Sequence, residues 1–465
     1  MSTTSQEATT TFIESETIFP VPADKRHGDA RSLCLMWVGA NQNILAIMTG
    51  MIYCKVLHLS LLWAAVAILA GNGVGGVFMA LHAAQGPHLG VPQMQQTRGQ
   101  FGAWGALLIV AVVILMYVGF TATILAIGRD QTNLALGLSD QQWPVILSAL
   151  IIFILCAVGH GLIERFTIGY TYVAATSFIL LAAYYAFGLH ATPVEPLFAI
   201  PTLRDFVAAL SIGVLWQIAY APYVSDYSRY LPAHTGERTA FWSCLTGSTL
   251  GTAAPTLIGA YIGSTAASAS FYAELNGISS AVSLALLIVI VISTLICCTM
   301  QIYCAALSMM TFVHTFRPNW RPTHRSRAVC SAILLAASVA TTISLRGDIL
   351  DIINDFIELL LAVLSPWTAI NLVDYYLVRH GDYDIPSLFK EDGGIYGLVN
   401  GPAVVCYGLG IFAQIPFVSN ALYTGAAARS LGGVDISWIA GIVVPGAIYW
   451  VLSTLGGARR TRRNV

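Results

Sequence analysis

Three consecutive carboxamides, Asn41, Gln42 and Asn43, lie in the middle of the first long apolar segment of the chain. Burying an amide without a hydrogen-bond partner costs roughly 2–7 kcal/mol. In a segment of membrane-spanning length, these groups need partners from other helices, water, an ion or a polar ligand. Gly39, just before them, permits the backbone to leave the helical conformation. A helix broken at this depth is typical of binding sites in secondary transporters.

Adjacent side chains on a helix point in different directions, so the three amides cannot all face one cavity. We expect Gln42 to face it. The alternative for each of the three is a hydrogen bond between helices within the bundle.

The sixth apolar segment has similar features. Trp216 and Gln217 come shortly before Pro222, which lacks a backbone donor and disrupts a helix. A tryptophan inside a span offers a large flat surface and one hydrogen-bond donor. Interruptions in the first and sixth segments suggest an inverted repeat, although channels and purely structural bundles also contain interrupted helices.

Two further segments carry aromatic and polar groups. Tyr117, Phe120 and Thr121 lie at i, i+3 and i+4, so they share one face of a helix and could stack on a ring and bond its edge. In the eighth segment, Thr299 offers an oxygen ligand for a cation and Gln301 an amide for a substrate. Core packing and hydrogen bonds back to the same helix are the alternatives for these residues.

Charged residues near the ends of two segments are candidates for gates. Asp226 and Arg229, at i and i+3, are predicted to form an ion pair with a structural or gating role. Asp351, Asp355 and Glu358 line one face at the start of the tenth segment. We interpret Asp355 as a gate residue in a solvated vestibule, with a proton relay as the alternative.

The composition indicates a multi-span membrane protein rather than a soluble domain, and we expect no nucleic-acid partner. Of 465 residues, 56% are hydrophobic and 10% charged, and the mean hydropathy is +0.72, whereas soluble domains carry about 25% charged residues. The nine cysteines show no disulfide or metal-ligand spacing. We find no catalytic constellation and expect no enzyme activity, organic cofactor or bound metal.

Twelve apolar segments approach the ~20 residues that a transmembrane helix needs. They lie near residues 32–54, 59–83, 102–128, 143–160, 166–190, 203–228, 240–265, 281–314, 326–345, 351–378, 396–418 and 434–455. If both termini are cytoplasmic, most of the 22 basic residues fall on the inner side. We therefore expect a multi-pass cell-membrane protein with cytoplasmic tails at 1–30 and 456–465, and the oligomeric state stays open.

Four motifs together identify a family. They are Trp37-Val38-Gly39-Ala40-Asn41, the glycine-rich run at 70–76, the loop at 82–94 with Arg98 and Phe101-Gly102, and Asp226-Tyr227-Ser228-Arg229-Tyr230-Leu231-Pro232. Over about residues 25–380 the chain resembles the nucleobase–cation symporters (NCS1), in the purine–cytosine permease branch.

The resemblance implies an all-α membrane protein of twelve transmembrane helices with a LeuT-like fold. Its 5+5 inverted repeat would comprise residues 31–190 (spans 1–5) and 203–380 (spans 6–10). Two extra helices would occupy residues 396–455. Spans 1, 2, 6 and 7 would move against spans 3, 4, 8 and 9 to give alternating access.

The resemblance also implies a binding site in which aromatic residues hold a planar ring and amides read its edge. The residues that match are Gln42, Tyr117, Phe120, Thr121, Trp216, Gln217 and Gln301. A sodium ion would lie near span 1 and span 8, at Gly39, Gln42, Cys298 and Thr299. Because Cys297-Cys298-Thr299 departs from the paired hydroxyl residues of sodium-dependent members, and a thiol is a poor ligand for a hard cation, proton coupling is an equal expectation.

The predicted function is therefore import of cytosine or a purine together with a proton or sodium ion. Other planar heterocycles are the alternative substrates: allantoin, a hydantoin, a thiamine precursor or a pyridine vitamin. A membrane receptor without transport activity is the alternative from a different class.

Overall fold

The computed structural model describes residues 13–183, 196–265, 280–344, 362–419 and 423–463, with side chains for all of these except 280–286 and 456–463. Within these ranges the chain is helical apart from turns and one isolated β-bridge between Ser419 and Thr424. The α-helices are α1 (Ala30–Asn41), α2 (Ile44–Lys55), α3 (Leu61–Leu89), α4 (Gln93–Phe101), α5 (Ala106–Ala135), α6 (Trp143–Val158), α7 (His160–Ala183), α8 (Leu203–Ile218), α9 (Val224–Ser228), α10 (Gly236–Thr265), α11 (Ser280–Phe316), α12 (His324–Ser344), α13 (362–373), α14 (Gly401–Gln414), α15 (Ala426–Ser430) and α16 (Ser437–Arg463). A π-helical turn, Asp374–Val378, continues α13, and short 3₁₀ turns lie at Ala23–Lys25, Ala233–Thr235, Ile385–Phe389, Gly394–Tyr396 and Ile415–Phe417.

Many of these helices have the length and apolarity of membrane spans. In the described part of the chain, six helices are each long and apolar enough to cross a membrane. Helices α1 and α2 form a bent pair, which raises the number to seven if the pair is counted as one span. Each of the twelve predicted segments contains helix in its described part, and the first and sixth segments each hold two α-helices. The count of twelve spans stays a prediction. The start of the tenth segment, with Asp351, Asp355 and Glu358, lies outside the described residues.

The helices form two packed groups. In the first group, α10 packs against α1, α2 and α3, while α3 also packs against α8 and α9. In the second group, α11 packs against α5, α6 and α12. Helix α7 contacts both groups, through α1 and α11. The first group contains the helices of predicted segments 1, 2, 6 and 7, and the second contains those of segments 3, 4, 8 and 9, which are the two sets that the family resemblance implies.

Glycines let the backbones of the first group touch. A Cβ atom on Gly259 of α10 would overlap the carbonyl oxygen of Ile47, and one on Gly50 of α2 would overlap that of Thr256. Small residues at such crossings are a common device in membrane helices, because association there depends on close packing. The contact holds α2 against α10, the helix of the seventh predicted segment.

The polar stretch after α3 is buried. Helix α3 continues through Pro87 to Leu89, so much of the predicted loop at 82–94 is helical. All nine residues of α4 are buried, and their amides bond inside the protein: Gln95 Nε2 donates to Leu388 O at 2.9 Å, and Gln100 Nε2 to the Tyr383 hydroxyl at 2.8 Å. This short polar helix is part of the scaffold at the ends of the spans.

Candidate functional site

The first span is broken within its run of amides. Helix α1 ends at Asn41 and α2 begins at Ile44, with a bend of 63° between them. Gln42 leaves the helical conformation (φ −81°, ψ 75°). Asn43 caps α2, because its side chain accepts a hydrogen bond from Ala46 N at 3.0 Å. The predicted discontinuity of span 1 is confirmed.

The break does not fall at Gly39, which remains helical. A Cβ at this position would overlap Thr171 Oγ1, so the glycine allows α1 to lie directly against α7. Its carbonyl oxygen accepts a hydrogen bond from Gln42 N at 3.2 Å. In this structure the absence of a side chain at Gly39 lets α1 pack on α7, and its predicted part in cation binding stays a prediction.

Asn41 joins three spans. Its Oδ1 accepts hydrogen bonds from Trp216 Nε1 at 3.1 Å and from Thr252 Oγ1 at 2.8 Å, while its Nδ2 donates to Trp37 O at 2.8 Å. The amide thus fixes the indole of Trp216 beside the break of span 1. Sequence reasoning left open which amide bonds within the bundle, and the structure assigns that part to Asn41.

Gln217 is also used between helices. Its Nε2 donates to Asn72 Oδ1 at 2.9 Å and to Thr252 Oγ1 at 3.0 Å, on α3 and α10. The Oε1 atom is buried and has no hydrogen-bond partner in the described residues. The amide nitrogen of Gln217 is therefore committed to the first group of helices, and only its oxygen could meet a ligand.

Gln42 differs from its two neighbours. Its side chain is buried, and Oε1 has no hydrogen-bond partner among the described residues. Its main-chain carbonyl, freed by the break, accepts a hydrogen bond from the Tyr170 hydroxyl at 2.7 Å, and this hydroxyl also lies 3.4 Å from Val289 O of α11. The break therefore lies where α7 and the second group of helices meet the first group. At this point the side-chain oxygen of Gln42 has no hydrogen-bond partner in the described residues.

The sixth predicted segment is also interrupted, as expected. Helix α8 ends at Ile218, a turn covers residues 219–223, and α9 begins at Val224. The turn carries Tyr220 and Tyr223, whose ring centroids are 5.5 Å apart. Trp37 lies 5.5 Å from Tyr220, and Tyr117 lies 5.5 Å from Tyr223, both edge to face. We call these four residues the aromatic cluster.

The cluster joins the breaks of both spans to α5, where Tyr117 was predicted to face the site. Sequence reasoning missed the two tyrosines of the turn, although aromatic residues on either side of Pro222 were the available signal.

Four of the buried oxygens without partners lie on α5 and α11. The hydroxyls of Tyr117, Thr121 and Thr299 and the Oε1 of Gln301 are buried and have no hydrogen-bond partner within the described ranges. Phe120 is half-buried and packs against the core. Because native proteins rarely leave buried polar atoms unpaired, such atoms are candidates for hydrogen bonds to a solute or water.

The two cysteines of α11 face different helices. Cys297 Sγ lies 3.4 Å from the carbonyl oxygen of Ala40, at the end of α1, whereas Cys298 Sγ lies 3.9 Å from that of Thr121 on α5. The residue of span 8 that meets the break of span 1 is thus Cys297 rather than the predicted Cys298. A soft thiol there is a weak ligand for sodium.

The predicted ion pair between Asp226 and Arg229 is wrong. Asp226 Oδ1 accepts a hydrogen bond from Gln93 N at 2.8 Å, and its Oδ2 has no hydrogen-bond partner in the described part of the chain. Arg229 reaches the main chain instead, with Nε 3.3 Å from Asp226 O and Nη1 2.7 Å from Thr17 O. The i, i+3 spacing places the Arg229 guanidinium near the main-chain carbonyl of Asp226 rather than its carboxylate, because the arginine side chain extends towards Thr17 in the N-terminal segment.

Residues 13–22, which we call the N-terminal strap, carry the carboxylate that Arg229 faces. Glu14 Oε1 lies 4.0 Å from Arg229 Nη2 and accepts hydrogen bonds from the hydroxyls of Tyr230 and Tyr303, the latter at 2.9 Å. Its Oε2 lies 3.1 Å from Arg327 Nη1 and accepts from His160 N at 2.7 Å. Tyr230 follows α9, whereas Tyr303 and Arg327 belong to α11 and α12. Glu14 therefore fastens the two groups of helices together.

Sequence reasoning missed this contact because nothing in a polar tail marks one glutamate as buried. Arg327, a charge inside the ninth predicted apolar segment, was the available signal.

Two broken helices that meet between two packed groups, with unpartnered amide and hydroxyl oxygens around them, are typical of a multi-pass membrane transporter. The chain belongs to the family of permeases for cytosine/purines, uracil, thiamine and allantoin, whose profile matches residues 20–441. Its members are permeases, not enzymes. The predicted family is confirmed.

A curated relative is similar over nearly the whole chain. YxlA of Bacillus subtilis (strain 168), which carries a provisional assignment as a purine-cytosine permease, is 36% identical over 452 residues, covering 95% of this chain and 96% of YxlA.

Solved structures share the fold. Mhp1, a nucleobase-cation-symport-1 family transporter, in a closed conformation with bromovinylhydantoin bound, has a TM-score of 0.73 at 18% identity over 97% of both chains. Its inward-facing conformation gives 0.70 at 16% identity over 96% of both chains. A manganese transporter from Eremococcus coleocola gives 0.53 at 12% identity, over 95% of this chain and 98% of that one.

Proposed function

We propose that this permease imports a planar nitrogen heterocycle, cytosine or a purine base, by symport with a cation. In this proposal the chain has twelve spans, both termini are cytoplasmic, and spans 1–5 and 6–10 form an inverted repeat. The similarity of fold to Mhp1 and the two breaks, in the first and sixth spans, support this arrangement.

The observation that carries the proposal is the unpartnered oxygen of Gln42 at the break of span 1. An amide oxygen accepts a hydrogen bond from a ring N–H or an exocyclic amine, and both groups occur on the edge of a nucleobase. The unpartnered Gln301 oxygen and the hydroxyls of Tyr117 and Thr121 offer further acceptors and donors for the same edge. Polar atoms this deep in the protein would otherwise carry a desolvation cost of about 1–3 kcal/mol each.

The aromatic residues around the breaks suit a flat ligand. The Trp216 indole is held by its hydrogen bond to Asn41, so little side-chain entropy is lost when a ring stacks on it. Tyr117 and half-buried Phe120 lie on α5, which reaches the interrupted sixth segment through the ring contact between Tyr117 and Tyr223. A hydantoin is the second candidate ligand, because the structure similar to this one contains bromovinylhydantoin.

For the coupling ion we favour the proton over sodium. Cys297, the residue of α11 that meets the end of α1, offers sulfur where a hard cation would need oxygen. Asp226, three residues beyond the turn in the sixth predicted segment, is buried, and one of its carboxylate oxygens has no hydrogen-bond partner among the described residues. A proton could bind that oxygen and leave with the substrate on the inner side.

Uptake into proteoliposomes tests the proposal. Labelled cytosine, adenine, uracil and hydantoin are supplied under an imposed proton gradient or sodium gradient, each alone. We expect saturable accumulation of cytosine or a purine under the proton gradient, and its loss when a protonophore is added. Binding of a base without accumulation under either gradient would instead identify a receptor.

Two substitutions separate the ring contact from the coupling. Trp216→Ala should abolish saturable uptake, whereas Trp242→Ala, on the exposed side of α10, should leave it unchanged. Asp226→Asn retains the acceptor for Gln93 N, so it should keep exchange of labelled for unlabelled base and lose proton-driven accumulation. Full proton-driven accumulation in Asp226→Asn would exclude this carboxylate as the proton carrier.

A further inference from the structure

Three metal-ligating side chains meet beside the N-terminal strap. His27 precedes α1, while His160 and Glu164 lie at i and i+4 in the first turns of α7 and so share a face. His27 Nε2 is 3.4 Å from Glu164 Oε2, and His160 Nδ1 is 4.0 Å from the same oxygen. One ligand atom from each residue can be chosen so that all lie within 4.8 Å of one another.

His160 provides an independent observation. Its side chain is only 4% exposed, and neither ring nitrogen has a hydrogen-bond partner in the part of the chain that the structure describes. Buried imidazole nitrogens normally donate or accept a hydrogen bond. The ring is held by stacking on Tyr230, with centroids 3.9 Å apart and planes at 19°. His160 Nδ1 lies 4.0 Å from Glu164 Oε2, which is too far for a hydrogen bond, so this buried nitrogen is left without one among the described residues.

We propose that His27, His160 and Glu164 form a binding site for a transition-metal ion of the zinc class. Tetrahedral zinc with ligand bonds near 2.0–2.1 Å holds its ligand atoms roughly 3.4 Å apart, so the distance between His27 Nε2 and Glu164 Oε2 already fits. His160 Nδ1 is 4.0 Å from Glu164 Oε2, and the three ligand atoms lie within 4.8 Å of one another. The His160 ring must therefore approach the other two ligands by roughly 0.6–1.4 Å. Two imidazoles and one carboxylate suit zinc, whereas magnesium and calcium prefer oxygen ligands.

The third ligand, His27, lies outside α7 and is oriented by a contact with the main chain. His27 Nδ1 lies 3.0 Å from Lys25 O, which leaves Nε2 for the metal. The His27 side chain is 48% exposed, so the site is reached from solvent and a water molecule can complete the coordination.

A bound ion would join the segment before α1 to the start of α7. Because α1 follows His27 by three residues, the ion would restrain the first half of span 1 against span 5. Binding itself does not depend on the proposed substrate or on the coupling ion.

The test measures metal binding directly. Full-length protein in detergent, freed of any affinity tag and treated with EDTA, is titrated with zinc by calorimetry and with cobalt by visible absorption. We expect saturable binding of one zinc per chain and a cobalt spectrum of a four-coordinate site. His160→Gln and Glu164→Gln should each weaken zinc binding at least ~10-fold, while His324→Gln, at an exposed histidine elsewhere, should not change it.

Absence of saturable zinc binding in the unsubstituted protein would overturn the proposal, as would equal affinity in His160→Gln, Glu164→Gln and His324→Gln. If the two ligand variants fail to elute as folded protein, chemical modification of the unsubstituted protein decides instead. Zinc should then protect His27 from diethylpyrocarbonate and leave His324 reactive, and equal modification of both would refute the site.

Discussion

Replacing Glu14 by glutamine tests whether the N-terminal strap fastens the two helix groups. The Glu14 side chain is 7% exposed, and those of Arg229 and Arg327 are fully buried. Glutamine has nearly the same shape but no charge. Its oxygen can still accept from His160 N and Arg327, and its NH₂ group can donate to the tyrosine hydroxyls. The substitution therefore removes mainly the charge.

The magnitude follows from the burial of the ion pair. Removing one partner of a buried pair costs about 3–5 kcal/mol, and the hydrogen bonds that glutamine retains place this case near 3 kcal/mol. Since about 1.4 kcal/mol corresponds to a factor of ten, the fraction of molecules with the strap released should rise roughly 100-fold.

Hydrogen exchange read by mass spectrometry measures this release. Two amides of the strap are bonded to the rest of the protein, Glu14 N to Val158 O at 2.9 Å and Val21 N to Gly90 O at 3.0 Å. Their exchange follows the population of the open state, so peptides covering residues 13–22 should exchange about 100 times faster in Glu14→Gln.

Glu16→Gln provides the matched control. Glu16 pairs with Lys25 at 2.6 Å, but the lysine side chain is 47% exposed, and such pairs contribute at most about 1 kcal/mol. Exchange of the strap should therefore change by less than about fivefold. Equal exchange rates in Glu14→Gln and Glu16→Gln would refute the view that the buried carboxylate holds the strap.

Three further substitutions test other contacts. Gly259→Ala should lower the melting temperature in detergent, because the new Cβ would overlap a carbonyl of α2, whereas Gly73→Ala, which meets nothing within 4 Å, should not. Tyr170→Phe should cost about 1–3 kcal/mol, since it leaves the carbonyl at the break of span 1 unsatisfied. His27→Gln should change the pH dependence of stability with metals removed. The hydrogen bond to Glu164 raises the pKa of His27, so its contribution should be complete below the unfolded-state pKa near ~6.5 and be lost as the pH rises through the raised value.

Each of these predictions has a contrary outcome. Equal melting temperatures of the two glycine variants would mean that α2 and α10 are not in backbone contact. An unchanged melting temperature in Tyr170→Phe would mean that the carbonyl at the break finds another donor. A constant difference in stability between His27→Gln and the unsubstituted protein from pH 5 to pH 9 would exclude a titrating His27–Glu164 pair.

Composition and local residue types predicted the fold class and the position of the discontinuities. Apolar segments of bilayer length can satisfy their backbone only as helices, so the helical architecture followed from hydropathy. The amide run at 41–43 and Pro222 marked the two interruptions because their effects are local: an asparagine caps the next helix, and a proline removes a donor. The family could be predicted from short motifs.

Only the tertiary structure decided which polar group meets which partner. Neighbouring amides became, in turn, a bond between helices at Asn41, a free oxygen at Gln42 and a helix cap at Asn43, because each faces a different neighbour. The Asp226–Arg229 spacing predicted a pair, but Arg229 found the carboxylate of Glu14, more than 200 residues away in sequence. Contacts of this kind depend on how whole helices pack, and neither periodicity nor spacing within one segment carries that information.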